Sequence, residues 1–91
     1  IPVMVSSDNT RDPFYAYGDL DGLEVYRAAT RILHLDHPIG DWPAAIAATP
    51  ADQLRLAGCG RIAAGGPADL IVMRARSYSE LLSRPQADRT V

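Results

Sequence analysis

Polar side chains that could do chemistry follow a short apolar run near the start of the chain. Ser6, Ser7, Asp8 and Asn9 come directly after the apolar residues 3–5. If that run is a buried strand, they lie at its carboxyl end, the edge where α/β sheets and barrels bind ligands. A carboxylate at such an edge can act as an oxygen ligand or as a general base. Asp8 is therefore the first candidate for chemistry, and the alternative is a carboxylate that only caps a turn.

A loop rich in aromatic residues follows this group. Residues 10–18 contain the rings of Phe14, Tyr15 and Tyr17. A loop of this composition after a strand end commonly lines a pocket, and the other interpretation is that the rings pack on neighbouring helices. Asp12 before Pro13 is typical of a turn, and Pro13 stiffens the backbone that presents Phe14.

The elements that would hold these residues are a strand and a helix. The apolar run predicts a strand over residues 1–7 that is buried on both faces. From residue 20 to residue 35, apolar side chains recur with a period near 3.6, which predicts a helix covering that strand. Asp19 or Asp21 is the expected N-cap of this helix.

The middle of the chain predicts two short helices. Asp41 is expected to cap the first, which runs through Pro43 to Ala48. Thr49 is expected to cap the second helix, with Pro50 in its first position, and Gly58 is the expected end of this helix.

The last third of the sequence predicts short strands and one helix. Strands are expected from Ile62 and over residues 70–73, with a glycine turn between them. Ser77 is expected to cap a helix that Pro85 stops, and a further strand begins in residues 88–91.

Composition and charge are those of an ordinary globular protein, for which we expect no nucleic-acid or membrane partner. A hydrophobic content of 47% and a charged content of 22% are ordinary for a globular protein. The net charge of −2 favours neither nucleic acid nor an anionic membrane as a partner. The single cysteine, Cys59, excludes an internal disulfide and fits a reducing cytoplasm, where we expect the protein to act.

Two stretches resemble one enzyme family. The strand end at Asp8, the Asp-Pro-aromatic sequence of residues 12–14 and the following Tyr-x-x-Gly-Asp resemble the last barrel strand of the cytosine deaminase branch of the amidohydrolase superfamily. Residues 60–73, GRIAAGGPADLIVM, resemble the segment with which chains of this superfamily return to a small β-sandwich. The second stretch is typical of the whole superfamily, and only residues 8–14 point to the cytosine deaminase branch.

The resemblance implies an α/β fold that combines part of a (β/α)8 TIM barrel with strands of a small β-sandwich. Residues 1–58 would supply the last barrel strand, the active-site loop and the covering helices, and residues 59–91 would return to the sandwich. Such a barrel needs about 250 residues. We therefore expect these 91 residues to be the C-terminal segment of a longer protein, with the rest of the barrel as their partner.

The same resemblance implies a reaction and its residues. The reaction is hydrolytic deamination of cytosine or a related amino-heterocycle by a metal-activated water, with release of ammonia. Asp8 would be a ligand of one divalent metal ion, Fe²⁺ or Zn²⁺, and would also carry the proton. Asn9 and Phe14 would contact the small-molecule substrate, at positions where family members often have a second Asp and a Trp. These departures keep the deaminase class and leave the substrate open. A homo-oligomer is also expected.

Other functions remain open at this point. The chain could belong to another amidohydrolase that uses the same Asp8 on a cyclic amide or a triazine-like ring. It could also be an inactive structural or interaction fragment. The zinc nucleoside deaminases use a Pro-Cys-x-x-Cys pair, and a chain with one cysteine gives no support to that class.

Overall fold

The structure, a computed structural model, describes residues 1–83 and 89–90, with side chains described through Ser83. Its elements in chain order are α1 (Gly22–Leu33), a 3-10 helix (Trp42–Ile46), α2 (Ala48–Gln53), β1 (Val72–Met73), α3 (Tyr78–Ser83) and β2 (Arg89–Thr90). The two strands pair antiparallel, with Val72 opposite Thr90 and Met73 opposite Arg89. The described residues thus hold helices and one two-stranded sheet, and neither the barrel nor the sandwich is seen in them.

Helix α1 has the aspartate cap that the sequence predicts. The Asp21 Oδ1 atom accepts a hydrogen bond from the Leu23 N–H at 2.9 Å, and Asp19 Oδ1 accepts from the Asp21 N–H at 3.2 Å. At the other end His34 adopts the left-handed conformation, with φ 56°, and donates its N–H to the carbonyl of Thr30. The predicted helix is confirmed, but it is shorter than residues 20–35 because this turn ends it.

A small core lies where α1 meets the 3-10 helix, which in turn contacts α2. The buried side chains are Leu23, Tyr26, Ala29, Leu35, Ala45 and Ala51. The first three of these recur every three residues, so they share one face of α1. Ile32 and Leu33, which the predicted stripe also included, are 71% and 54% exposed. The buried face of α1 therefore ends at Ala29.

The strand predicted over residues 1–7 is absent from the described structure, in which residues 1–10 form neither a helix nor a strand. A strand needs a neighbour to accept and donate its backbone hydrogen bonds. The Val5 N–H donates to the Ala45 carbonyl at 3.2 Å, and no described strand lies alongside to pair with the rest. Val3 and Met4 are consequently exposed instead of buried on both faces.

The two short helices of the middle region start differently from the prediction. The side chain of Asp41 makes no capping hydrogen bond to the 3-10 helix that follows it. Helix α2 begins at Ala48, because the 3-10 helix runs almost directly into it, with Ala47 as the shared cap residue. Thr49 therefore lies inside the first turn and cannot cap it, and α2 ends at Gln53, well before Gly58.

The strands of the last third are shorter than predicted. Ile62 lies outside any described strand. Of the strand predicted over residues 70–73, only Val72 and Met73, which form β1, are paired. A strand forms here only where β2 lies opposite, since the described sheet has no third member. The predicted turn between them is present, with the Gly66 N–H donating to the Ala63 carbonyl at 3.0 Å.

The predicted helix after Ser77 is confirmed as α3. The Ser77 Oγ atom accepts a hydrogen bond from the Glu80 N–H at 3.1 Å, as an N-cap does. The strand predicted near the end of the sequence is β2, while the predicted helix stop at Pro85 and residues 88 and 91 lie outside the described residues. Among the described helices, none has the length and apolar character needed to cross a bilayer.

Candidate functional site

Asp8 lies in an irregular segment ahead of α1, with its backbone in the left-handed region at φ 53°. Aspartate is one of the few residues other than glycine that adopt this conformation readily. The side chain is exposed, and no hydrogen bond or ion pair ties its carboxylate to the part of the chain that the structure describes. Asp8 is therefore available to a ligand.

The loop after Asp8 is folded around the carboxylate of Asp12. One oxygen, Oδ1, accepts from the backbone N–H groups of Phe14 and Tyr15, each at 2.9 Å. The other, Oδ2, accepts from the Asn9 amide nitrogen at 2.8 Å. The bond from the Asn9 side chain, and next that from the Tyr15 N–H, stabilise the charged form and lower the pKa of Asp12 below its ordinary value of 3.8.

The end of the loop is closed by aromatic and backbone contacts. The rings of Tyr15 and Tyr17 meet edge to face, with centroids 6.2 Å apart and planes at 80°. Gly18 has φ 100°, and a Cβ there would lie 3.1 Å from Tyr15 Cε1, so the tyrosine packs directly against this glycine. Arg11 Nε donates to the Gly18 carbonyl at 3.1 Å, which joins the two ends of the loop.

A cavity of about 140 Å³ lies between this loop and α1. Its lining includes Ser7, Asn9, Thr10, Tyr15 and residues of the first turns of α1. The hydroxyl of Thr10 is buried and lacks a hydrogen-bond partner among the described residues. Asp8 and Phe14 do not line the cavity, and Phe14 is 86% exposed. The fold thus brings Asn9 to the cavity and leaves Asp8 and Phe14 at the surface.

Sequence reasoning missed two features of this region. It treated Asp12 as an ordinary turn residue and Asn9 as a substrate contact, but the two side chains are bonded to each other. The Asn-x-x-Asp spacing, with Pro13 after the aspartate, was the available signal, because short polar side chains in turns often bond residues two or three positions away. The buried hydroxyl of Thr10 had no such signal in the sequence.

Comparison with known proteins identifies the family. Residues 1–91 match the family model described as the amidohydrolase family. The chain belongs to this family. This amidohydrolase chain is 59% identical over its 91 residues to a pterin deaminase from Rhizobium rhizogenes, and it spans 21% of that relative's length. No solved structure matches it significantly. The resemblance to the superfamily, which residues 8–14 and 60–73 carried, is confirmed.

The described residues of this amidohydrolase chain can supply one ligand to a metal ion, but not a complete metal site. Among them, no three or more His, Cys, Asp or Glu side chains are grouped closely enough to hold an ion. Asp8 does fit the role of a single oxygen ligand, because its carboxylate is exposed and has no partner among the described residues. A metal centre that includes Asp8 therefore requires ligands from beyond the described residues.

Proposed function

We propose that this chain is part of a metal-dependent hydrolase that deaminates an amino-heterocycle and releases ammonia. The observation that carries the proposal is the 59% identity, across every residue of the chain, to a protein named as a pterin deaminase. Membership of the amidohydrolase family supports it. Because the chain spans 21% of that relative's length, the activity is proposed for the whole protein.

The proposed substrate is a ring that carries an amino group on a carbon next to a ring nitrogen. Pterin and cytosine both contain this unit, pterin in a bicyclic ring and cytosine in a single ring. We favour a pterin-like ring, because the relative's name points to it. Asn9 and Phe14 also depart from the residues that the cytosine deaminase branch often has.

The proposed architecture is the C-terminal part of a (β/α)8 barrel with strands of a small β-sandwich. Residues 1–7 would become the last barrel strand once polypeptide outside this numbering lies beside them, residues up to 58 would complete the barrel, and residues 59–91 would return to the sandwich. The exposed apolar side chains of Val3 and Met4 support this, since a neighbouring strand and helix would cover them.

Asp8 is proposed to hold the divalent ion, Fe²⁺ or Zn²⁺, together with ligands from the rest of the barrel. When bound, the ion supplies a water molecule whose pKa is lowered to near neutrality. The Asp8 carboxylate would take a proton from the attacking water as the water oxygen bonds to the ring carbon and the C=N electron pair moves to the ring nitrogen. It would then donate that proton to the amino nitrogen, and the pair on the ring nitrogen would re-form the C=N bond. The carbon–nitrogen bond breaks, and ammonia leaves. One carboxylate thus acts as base and then as acid.

Phe14 and Asn9 are proposed to orient the ring. The exposed face of Phe14 can stack on a flat heterocycle. The Asn9 amide nitrogen is bonded to Asp12, so its carbonyl oxygen is the atom we assign to the substrate. The homo-oligomer and the cytoplasmic location stay predictions from the sequence.

The test uses the full-length, metal-loaded enzyme. Ammonia release is measured from pterin and cytosine, and ring opening is measured with hydantoin as a cyclic amide. We expect release from pterin to exceed that from cytosine, to stop after chelation and to return with Zn²⁺ or Fe²⁺. Opening of hydantoin without deamination would instead support an amidohydrolase of the cyclic-amide type. A lack of reaction with all three rings would overturn the proposal.

A further inference from the structure

The Asp12 carboxylate is the centre of the hydrogen bonds that shape residues 9–15. It accepts from a side chain on one side and from two consecutive backbone N–H groups on the other, with distances of 2.8, 2.9 and 2.9 Å. Its own N–H donates to the Tyr15 carbonyl at 3.1 Å, which closes the turn from the backbone side. Three of the hydrogen bonds that shape this segment therefore end on one carboxylate.

The residues that the proposed reaction needs lie in this segment or directly before it. Asn9, directly after Asp8, is bonded to one oxygen of Asp12, and the Phe14 N–H is bonded to the other. Removing the carboxylate breaks the bonds from Asn9, Phe14 and Tyr15. The backbone bond from the Asp12 N–H to the Tyr15 carbonyl and the bond from Arg11 to Gly18 remain, so the loop stays closed while the orientation of Phe14 relative to Asp8 is held less tightly. A displacement of about 1 Å of one such residue relative to the other can slow an enzyme by about 10²-fold.

We propose that Asp12 is a positioning residue that sets the orientation of Phe14 relative to Asp8, an inference that rests on the proposed deaminase function. In this proposal Asp12 makes no contact of its own with the substrate or the metal ion. It acts through Asn9 and through the backbone of Phe14 and Tyr15.

Two variants separate positioning from simple stability. Asp12→Ala removes every acceptor oxygen, whereas Asp12→Asn keeps one oxygen for the N–H groups of Phe14 and Tyr15 and loses only the acceptor for Asn9. Asp41→Ala is the matched control, because the exposed Asp41 side chain makes no capping hydrogen bond.

Steady-state kinetics of the full-length enzyme are measured with metal content and Tm. We expect Asp12→Ala to lower kcat/KM by about 10²-fold, with a raised KM and unchanged metal content, and Asp12→Asn to remain within about tenfold of wild type. A purely structural role would lower Tm and the folded fraction while KM stayed constant. A KM and kcat within about threefold of wild type in Asp12→Ala would therefore overturn the proposal.

Hydrogen exchange provides a readout that needs no substrate. The amides of Phe14 and Tyr15 should exchange at least about tenfold faster in Asp12→Ala, and should stay protected in Asp12→Asn and Asp41→Ala. If the wild-type enzyme deaminates none of the rings, the proposed function fails, and this measurement alone then decides whether Asp12 orders the loop. Equal exchange in wild type and Asp12→Ala would overturn that role too.

Discussion

Arg61 donates to both carboxylate oxygens of Asp52, from Nη1 to Oδ1 at 2.8 Å and from Nη2 to Oδ2 at 2.6 Å. This bidentate pair joins α2 to the segment that begins at residue 59, across the proposed boundary between barrel and sandwich. The hydrogen bond from Arg61 lowers the pKa of Asp52, and the bond to Asp52 raises the pKa of Arg61. Both side chains remain about half exposed, at 53% and 55%, so we expect the pair to orient this connection more than to stabilise it.

The first prediction concerns Asp52→Asn in the full-length enzyme. The pKa of Asp52 is lowered in the folded state, so its contribution is complete above the ordinary value of 3.8 and disappears as the pH falls through the lowered pKa. We expect a small decrease in Tm at neutral pH that shrinks below pH 3.8 and in about 1 M salt. Thermal unfolding against pH measures this, with Asp41→Asn as the control. A Tm difference that is the same at both pH values would contradict the assignment.

The second prediction compares two glycines with nearly the same backbone conformation. Gly60 has φ 71° and Gly65 has φ 78°. A Cβ on Gly60 would lie 2.6 Å from the carbonyl carbon of Ala47, whereas one on Gly65 would meet no described atom within 4 Å. Gly65→Ala should carry only the conformational cost of about 1–2 kcal/mol. Gly60→Ala should lower Tm further, because the backbone at Ala47 must move. Equal Tm values for the two variants would contradict this close approach.

The third prediction concerns Asp8→Asn, which is nearly isosteric but cannot accept a proton. We expect kcat to fall by about 10²–10⁴-fold, the range for loss of a positioned general base. Metal affinity should weaken by a smaller factor, and the fold should persist because the side chain is exposed. Ammonia release is measured after reconstitution with excess metal, and the exposed Asp69→Asn serves as the control. Turnover near that of wild type would show that Asp8 is a structural residue of the turn and not the general base.

The fourth prediction concerns Phe14→Ala. If the ring stacks on the substrate, KM should rise and kcat should also fall through lost orientation, while metal content stays normal. The control is Ile62→Ala, because Ile62 is exposed to the same degree, 87% against 86%, and lies outside the loop. A lowered Tm with an unchanged KM would make Phe14 a packing residue of the assembled barrel.

The sequence by itself determined two helix caps of this chain and its family, whereas the caps expected at Asp41 and Thr49 did not form. The caps at Asp21 and Ser77 were predictable, because each bonds a backbone N–H two or three residues away and so depends on little beyond its neighbours. The family followed from two short stretches, residues 8–14 and 60–73, and the match over residues 1–91 confirmed it.

Only the tertiary structure decided which residues meet across longer distances. The apolar run before Asp8 has the composition of a buried strand, but strand formation requires backbone partners from another segment, and the described residues supply the Ala45 carbonyl for one amide. Gly60 lies against Ala47, thirteen residues earlier, an approach that no local pattern encodes. Local hydrogen bonds are specified by adjacent residues, whereas pairing and packing depend on segments that only the folded chain brings together.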